Sequence, residues 1–289
     1  MAYLTRTTSG FRNFTRSQPV GALGLLFIVA LFFAGVFADA IAPYDPEAID
    51  FASILQGPSA AHWAGTDAFG RDILTRIIYG ARTALSISLI SSLLGCSLGA
   101  ALGASSAYFG GRIDYGIQRV IDILLSFPLI VLALVVVAVI GRKSFGGIDI
   151  GLIAAITIPI IPQVARVIRS SALSIRRMQY VEAARVSGYS HFRVIFRHMA
   201  PNLAAPFLVL LSVYMSQAIL LEASLSFLGL GVAEPTPAWG LMLSGSATEF
   251  FTEAPWMVVF PGLAISLAVF SFNLLGDSLR DWLDPRFRT

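Results

Sequence analysis

Cysteine, lysine and histidine are scarce in this chain. Its 289 residues contain one cysteine, Cys96. That residue lies inside an apolar run, so neither a disulfide framework nor a cysteine-based metal site can be built. Lys143 is the sole lysine and follows Arg142. The Gly-Lys-Ser/Thr of a phosphate-binding loop is therefore missing, and the chain cannot hydrolyse ATP by that device. Any ATP drive must come from another polypeptide. The histidines are His62, His191 and His198; none stands in a His-Glu-x-x-His pattern, so a zinc site is not expected. Charge is scarce too, at 13% of residues, against about 25% in a soluble domain. With 56% hydrophobic residues, the chain reads as an integral membrane protein. The net charge of +3 gives no argument for nucleic acid, because the arginines sit in short segments between apolar runs. No cleavable signal peptide is expected, since the first apolar segment is too long for one and no small-residue cleavage site follows it.

What is present is a series of long apolar segments. A bilayer core of ~30 Å needs about 20 helical residues. Segments of that kind predict six spans, near 20–42, 83–108, 120–140, 150–168, 203–227 and 256–275, with Pro128 tolerated inside the third and Pro159 and Pro162 kinking the fourth. Fifteen arginines fall on the side of the two ends and the loop after the fourth span. Five basic residues, Arg71, Arg76, Arg82, Arg142 and Lys143, fall on the other. The excess predicts cytoplasmic termini. The segment 43–79, rich in acids, proline and glycine, predicts an external loop with short helices, and the loop 229–255 carries Glu234, Glu249 and Glu253 with no basic residue.

On the second span Ser91, Gly95, Gly99, Gly103 and Ala107 recur every four residues. That small-residue stripe predicts a face for close helix packing, not chemistry. Three acids lie in or near the apolar layer: Asp122, Glu222 and Asp277. Asp122 and Asp277 stand three residues from Arg119 and Arg280, which predicts local ion pairs. Glu222 reads as an interface-level charge. No internal repeat is visible, so a two-fold secondary carrier finds little support.

The most structured polar stretch is Gln179–Pro201. Phe192, Ile195, Phe196 and Met199 share one helical face. Gly188 can end a preceding helix in a left-handed cap, and Ser190 can start the next. The pattern predicts helix, tight turn, helix, with an apolar face that packs on this protein or on a partner.

Glu182-Ala183-Ala184 followed by Gly188 and a helix ending at Pro201 resembles the "EAA" loop of ABC importer permeases. Gly65-Thr66-Asp67, Gly70-Arg71-Asp72 and Gly80-Ala81-Arg82 look like the N-terminal signature of the dipeptide/oligopeptide permeases, in their second-subunit branch. Leu225 to Gly231, Pro235-Thr236-Pro237 with Trp239-Gly240, and Asn273 to Asp277 with Leu283 to Arg286 match the same family, so the resemblance covers nearly the whole chain. It implies an all-α membrane protein of six spans, with residues 1–80 as an N-terminal tail, first span and external loop, and 81–289 as the permease core containing the loop 179–201. It implies a bacterial or archaeal inner-membrane location, half of a pore shared with a homologous permease, two ATPase subunits holding ATP and Mg, an extracytoplasmic substrate-binding protein and surrounding lipid. In that reading Tyr180, Glu182, Ala183, Ala184, Arg185, Gly188 and Pro201 form the ATPase-coupling loop: Glu182 contacts the ATPase, Ala183 and Ala184 allow close approach, Gly188 sets the turn and Pro201 starts the fifth span. The chain departs from many relatives at 158–163, Ile-Pro-Ile-Ile-Pro-Gln, where they carry an aromatic residue before the Ala-Arg pattern. A secondary carrier and a membrane scaffold are the rival readings; neither needs the Glu182 loop.

Overall fold

Apolar runs that leave water must satisfy their own backbone, which a continuous run of about 20 residues does as a helix. The computed structural model describes residues 17–141, 144–145 and 148–283, and it is helical almost throughout. In chain order the helices are α1 (Pro19–Val36), α2 (Ala38–Ile41), α3 (Ile73–Phe109), α4 (Gly111–Leu125), α5 (Leu129–Ile140), α6 (Ile150–Arg176), α7 (Gln179–Val186), α8 (His191–Arg193), α9 (Ala200–Phe227), α10 (Trp239–Met242), α11 (Ser246–Glu249) and α12 (Trp256–Leu283). A turn of π-helix, Val194–Met199, joins α8 to α9. The only strands among the described residues are Ser144–Phe145 and Ile148–Asp149, a two-residue antiparallel ribbon. Arg6, Arg12, Arg16, Arg142, Lys143, Arg286 and Arg288, and the motif residues Asp284, Pro285 and Arg286, lie outside the described residues.

Five helical runs are long and apolar enough to cross a membrane: Pro19–Val36, Ile73–Phe109, Ile150–Arg176, His191–Phe227 and Trp256–Leu283. The expected continuous third span does not form. α4 and α5 meet at a bend of 94°. Pro128, which caps α5 in an extended conformation, has no N–H to give and disfavours helical backbone at Phe127. α5 alone, at 12 residues, is about 18 Å long, short of the ~30 Å core. α4 buries only Ile121. The bent pair counts as a sixth crossing only when its two halves are taken together.

α3 begins at Ile73, well before the expected position near 83. Asp72 accepts from the Thr75 N–H at 2.8 Å, an N-cap that starts the helix outside the apolar run. α3 therefore passes through position 80 without a break.

Three buried clusters hold the fold. The largest joins α3, α5, α6 and α9, and it includes Val181 and Ala184 of α7 and Val194 and Met199 of the π turn. A second joins α1, α3, α9 and α12 around Trp239. The third lies under the segments 43–72 and 229–255, around Ala64, Ile73, Ala254 and Met257. α3 and α6 pack most closely through the small stripe. A Cβ on Gly99 would lie 2.7 Å from the Ile161 carbonyl, and one on Gly95 2.8 Å from Ile160. Ser91 and Ala107 are buried on the same line.

Candidate functional site: the polar helical turn and the external clamp

The polar stretch folds as two short helices because its glycine permits the turn between them. Gly188 has φ +76°. The Tyr189 N–H reaches back to the Ala184 carbonyl at 3.2 Å, and the Gly188 N–H to Arg185 at 3.1 Å. This pair of bonds is a Schellman cap, and only glycine takes its left-handed position without strain. Ser190 Oγ then accepts from the Arg193 N–H at 3.4 Å and opens the next helix.

Helical periodicity divides the residues of α7. Val181 and Ala184 face inward and are buried, whereas Tyr180, Glu182, Ala183, Arg185 and Val186 are exposed, Val186 at 89%. This corrects the expectation for Ala184: three residues after Val181, it packs on the protein's own core and is not free to receive a partner. The expected apolar face of the second helix is corrected as well. Val194 and Met199 are buried. Phe192 and Phe196 instead stack on each other at 4.2 Å and stay exposed, at 70% and 56%. The π turn rotates the later residues relative to a regular helix, so the face read at i, i+3, i+4 and i+7 does not stay together. Pro201 stands in the first turn of α9, where its missing N–H costs nothing.

The stretch is tied to the end of α3. Tyr108 Oη pairs with His191 Nδ1 at 2.8 Å, and Phe109 stands edge-on to the same imidazole. Arg185 lies over the Tyr108 ring. Arg176 donates to the Ala107 carbonyl at 2.9 Å, capping α3. Close by, Arg169 grips Asp114 with both Nε and Nη2, at 2.7 and 2.6 Å, a bidentate pair.

At the opposite end of α3 the remaining motifs converge. Gly70 has φ +75°, and any side chain there would overlap the Asp50 carbonyl. Asp72 binds His62 Nδ1 at 2.9 Å while capping α3. Arg71 donates to Asp67 at 2.7 Å and to Glu234 at 2.9 Å. Burial works against the Arg71 charge, but Glu234 and Asp67 outweigh it and hold the guanidinium above its ordinary value. Arg76, 1% exposed, donates to the Pro46 carbonyl at 2.9 Å. Trp239, fully buried, donates to the Ile77 carbonyl at 2.9 Å and lies flush on Gly80. Trp256 donates to the Thr66 carbonyl at 3.1 Å. The Gly-Thr-Asp, Gly-Arg-Asp, Gly-Ala-Arg and Trp-Gly motifs thus build one clamp that fastens the segment 43–72 to the loop 229–255. Sequence reading missed this clamp; its one signal was Glu234 in a loop without basic residues.

The acids of the apolar layer are placed differently from expectation. Asp122 pairs with Arg166 of α6 rather than with Arg119, because the bend at Pro128 turns α4 toward α6. Asp277 is exposed and forms no ion pair among the described residues. Glu222 is fully buried within the protein. Its Oε1 accepts from Ser226 Oγ at 2.7 Å, and its Oε2 has no partner among the described residues. The run Gly95-Cys96-Ser97-Leu98-Gly99 has the spacing of a hydrolase nucleophile elbow. It lies in the middle of α3 and not on the strand-to-helix turn that exposes such a serine.

Comparison with known proteins bears on the whole architecture. Residues 95–289 match the family described as the binding-protein-dependent transport system inner membrane component. Residues 11–58 match the N-terminal TM domain of oligopeptide transport permease C. The chain is 40% identical over 274 residues to the dipeptide transport system permease protein DppC of Alkalihalophilus pseudofirmus, covering 95% of this chain and 88% of that protein. It is 39% identical over 280 residues to the glutathione transport system permease protein GsiD of Pectobacterium atrosepticum, covering 96% and 91%. To GsiD of Escherichia coli O6:K15:H31 it is 40% identical over 279 residues, covering 96% and 90%.

Proposed function

We propose a peptide-class cargo and a specific coupling contact for this chain, which belongs to the family of binding-protein-dependent transport system inner membrane components. The chain is a multi-pass permease subunit of an ABC importer, of the DppC/OppC-like kind, and ATP hydrolysis resides in separate subunits. It works in a complex with ATPase and binding-protein partners.

The cargo we assign is a short peptide or a peptide-like thiol, because similar permeases are named for dipeptide and glutathione transport. A homologous permease completes the pore, and ATP with Mg is held on two ATPase subunits. Both ends and the stretch Gln179–Pro201 face the cytoplasm; the arginine excess on that side supports this, with the bent α4–α5 pair taken as one crossing.

The observation that carries the coupling contact is the two-sidedness of α7. Its inner residues, Val181 and Ala184, belong to the same buried cluster as Ile168 and Ile175 of α6. Its outer residues, Tyr180, Glu182, Ala183 and Arg185, are exposed. An ATPase that grips the outer side moves the inner side with it, because close-packed cores shift as units rather than deform. ATP binding then biases a two-state pore through its different affinity for the two states.

The test is uptake by the reconstituted four-subunit complex with its binding protein. Glu182→Lys and Gly188→Val should insert and assemble yet lose ATP-driven uptake. Wild-type uptake in both variants would remove the coupling assignment.

A further inference from the structure

Between α5, α6 and α9 lies a groove whose polarity does not suit a lipid-facing surface. Leu129 and Ile130 of α5, Gln163 of α6, and Gln217, Leu220 and Ser224 of α9 line it. Gln163 stands at the midpoint of α6, thirteen residues from either end. In the middle of a bilayer, polar side chains are costly unless they meet a partner or line a wet path.

Neither amide is fully satisfied. Buried Tyr214 donates its hydroxyl to Gln163 Oε1 at 3.2 Å, which anchors that amide and commits its oxygen. Gln163 takes no second partner among the described residues, so its amide nitrogen is a free donor. Gln217 makes no side-chain hydrogen bond among the described residues, and its Oε1 is turned inward without a donor. Ser224 spends its hydroxyl on the Leu220 carbonyl at 2.7 Å and offers no donor to Gln217. One wall thus carries two amides with unused hydrogen-bonding capacity on neighbouring helices. A peptide backbone can use that capacity, since each residue carries a C=O that accepts from an amide N–H and an N–H that can donate to an amide oxygen once the side chain turns. No charged residue lines this groove, so it has nothing to neutralise a free carboxylate or ammonium with. Its chemistry fits the uncharged interior of a peptide.

We propose that Gln163 and Gln217 line the translocation path and hydrogen-bond the backbone amides of a passing peptide. The proposal rests on the peptide-class reading above and adds the residues that meet the cargo. Backbone recognition is indifferent to side chains, and two neutral hydrogen bonds hold weakly enough for release, as conduction requires.

The experiment uses the whole complex in membranes, with Cys96→Ala in this chain so that no native thiol remains. Cysteines are introduced singly as Gln163→Cys, Gln217→Cys and, on the exposed apolar surface of α12, Leu263→Cys. Each variant is exposed to a membrane-impermeant methanethiosulfonate reagent, with and without trialanine, binding protein and ATP. The two glutamine positions should react and be slowed by trialanine, and Leu263→Cys should do neither. Separately, the double variant Gln163→Leu with Gln217→Leu should assemble at normal abundance but import trialanine about fivefold more slowly or worse, since one hydrogen bond is worth about 1 kcal/mol. Absence of labelling at both glutamine positions overturns the proposal whatever the cargo, because the groove is then covered by lipid or by the partner permease. Undiminished trialanine import by the double leucine variant overturns it also. If both cysteines label but the wild-type complex imports neither trialanine nor glutathione, the peptide cargo is refuted, and the amide contact with it, while the wet path stands.

Discussion

Arg71 and Glu234, 163 positions apart in the chain, meet at 2.9 Å outside the helical bundle. The pair is unequal: the Arg71 side chain is buried and also holds Asp67, whereas Glu234 is half exposed. Arg71→Ala leaves buried Asp67 without its counter-charge and should cost about 3 kcal/mol or more. Glu234→Gln removes only a solvent-screened partner and should cost no more than about 1 kcal/mol. Thermal melting of the purified complex checks the difference, and equal losses would show that the clamp does not hang on Arg71.

The packing of α3 on α6 leaves no room for a branched side chain. A Cβ on Gly103 would overlap the Ala165 carbonyl, so Gly103→Val forces the helices apart and should cost at least the 1–3 kcal/mol or so of an overpacked core. Gly99→Asp adds a charge at the same contact and should remove the protein from the membrane. Immunoblots of membrane fractions read both outcomes; normal abundance of Gly99→Asp would count against the packing role of the stripe.

Trp239 fills the space that Gly80 leaves and donates to Ile77. Trp239→Ala should destabilise by about 3–5 kcal/mol. Gly80→Val should destabilise too, by pushing the same ring. In the double variant the valine no longer meets the indole, so the two losses should fall short of adding. Strict additivity in denaturation of the complex would separate the two residues.

Asp39 accepts from Tyr79 Oη at 2.8 Å and pairs with Arg82 Nη2 at 2.9 Å, joining the short helix α2 to α3. The hydrogen bonds from Arg82 and Tyr79 hold its carboxyl below the ordinary carboxylate value. A lowered folded value means that this contribution is present above the unfolded pKa, about 4, and is lost as the pH falls through the folded one. The melting temperature of Asp39→Asn should therefore lie below wild type by a constant gap between pH 5 and 8. The gap should close in more acidic buffer. A gap that persists at low pH would assign the effect to something other than this charge.

Composition and run length were enough to read five of the six apolar spans and their rough position, because the cost of leaving water is set largely by local sequence. The third span was misread for a physical reason. Whether a proline such as Pro128 bends a helix by a few degrees or by 94° depends on which neighbours recover the freed carbonyls, and those neighbours are not local. Pro159 and Pro162, by contrast, remain inside a continuous α6. The turn at Gly188 was legible because a left-handed cap needs glycine at one position. The inward turn of Ala184 and the outward turn of Phe192 and Phe196 were not, since they follow from the core beneath α7 and from a π turn that leaves little trace in sequence. The clamp could be seen as separate motifs but not as one object, because nothing in the residues near Arg71 names Glu234.

α3 runs unbroken for 37 residues, about 55 Å at 1.5 Å per residue. Its first turn is capped by the aspartate of the external clamp, and its last residues touch His191. A continuous helix of that length, with no proline inside it, can carry a displacement of one end to the other. A displacement of one end that α3 carries to the other links events at its two ends in both directions. If closure of the ATPases changes the affinity of the outer face for a loaded binding protein by some factor, arrival of that binding protein must change the equilibrium of closure by the same factor.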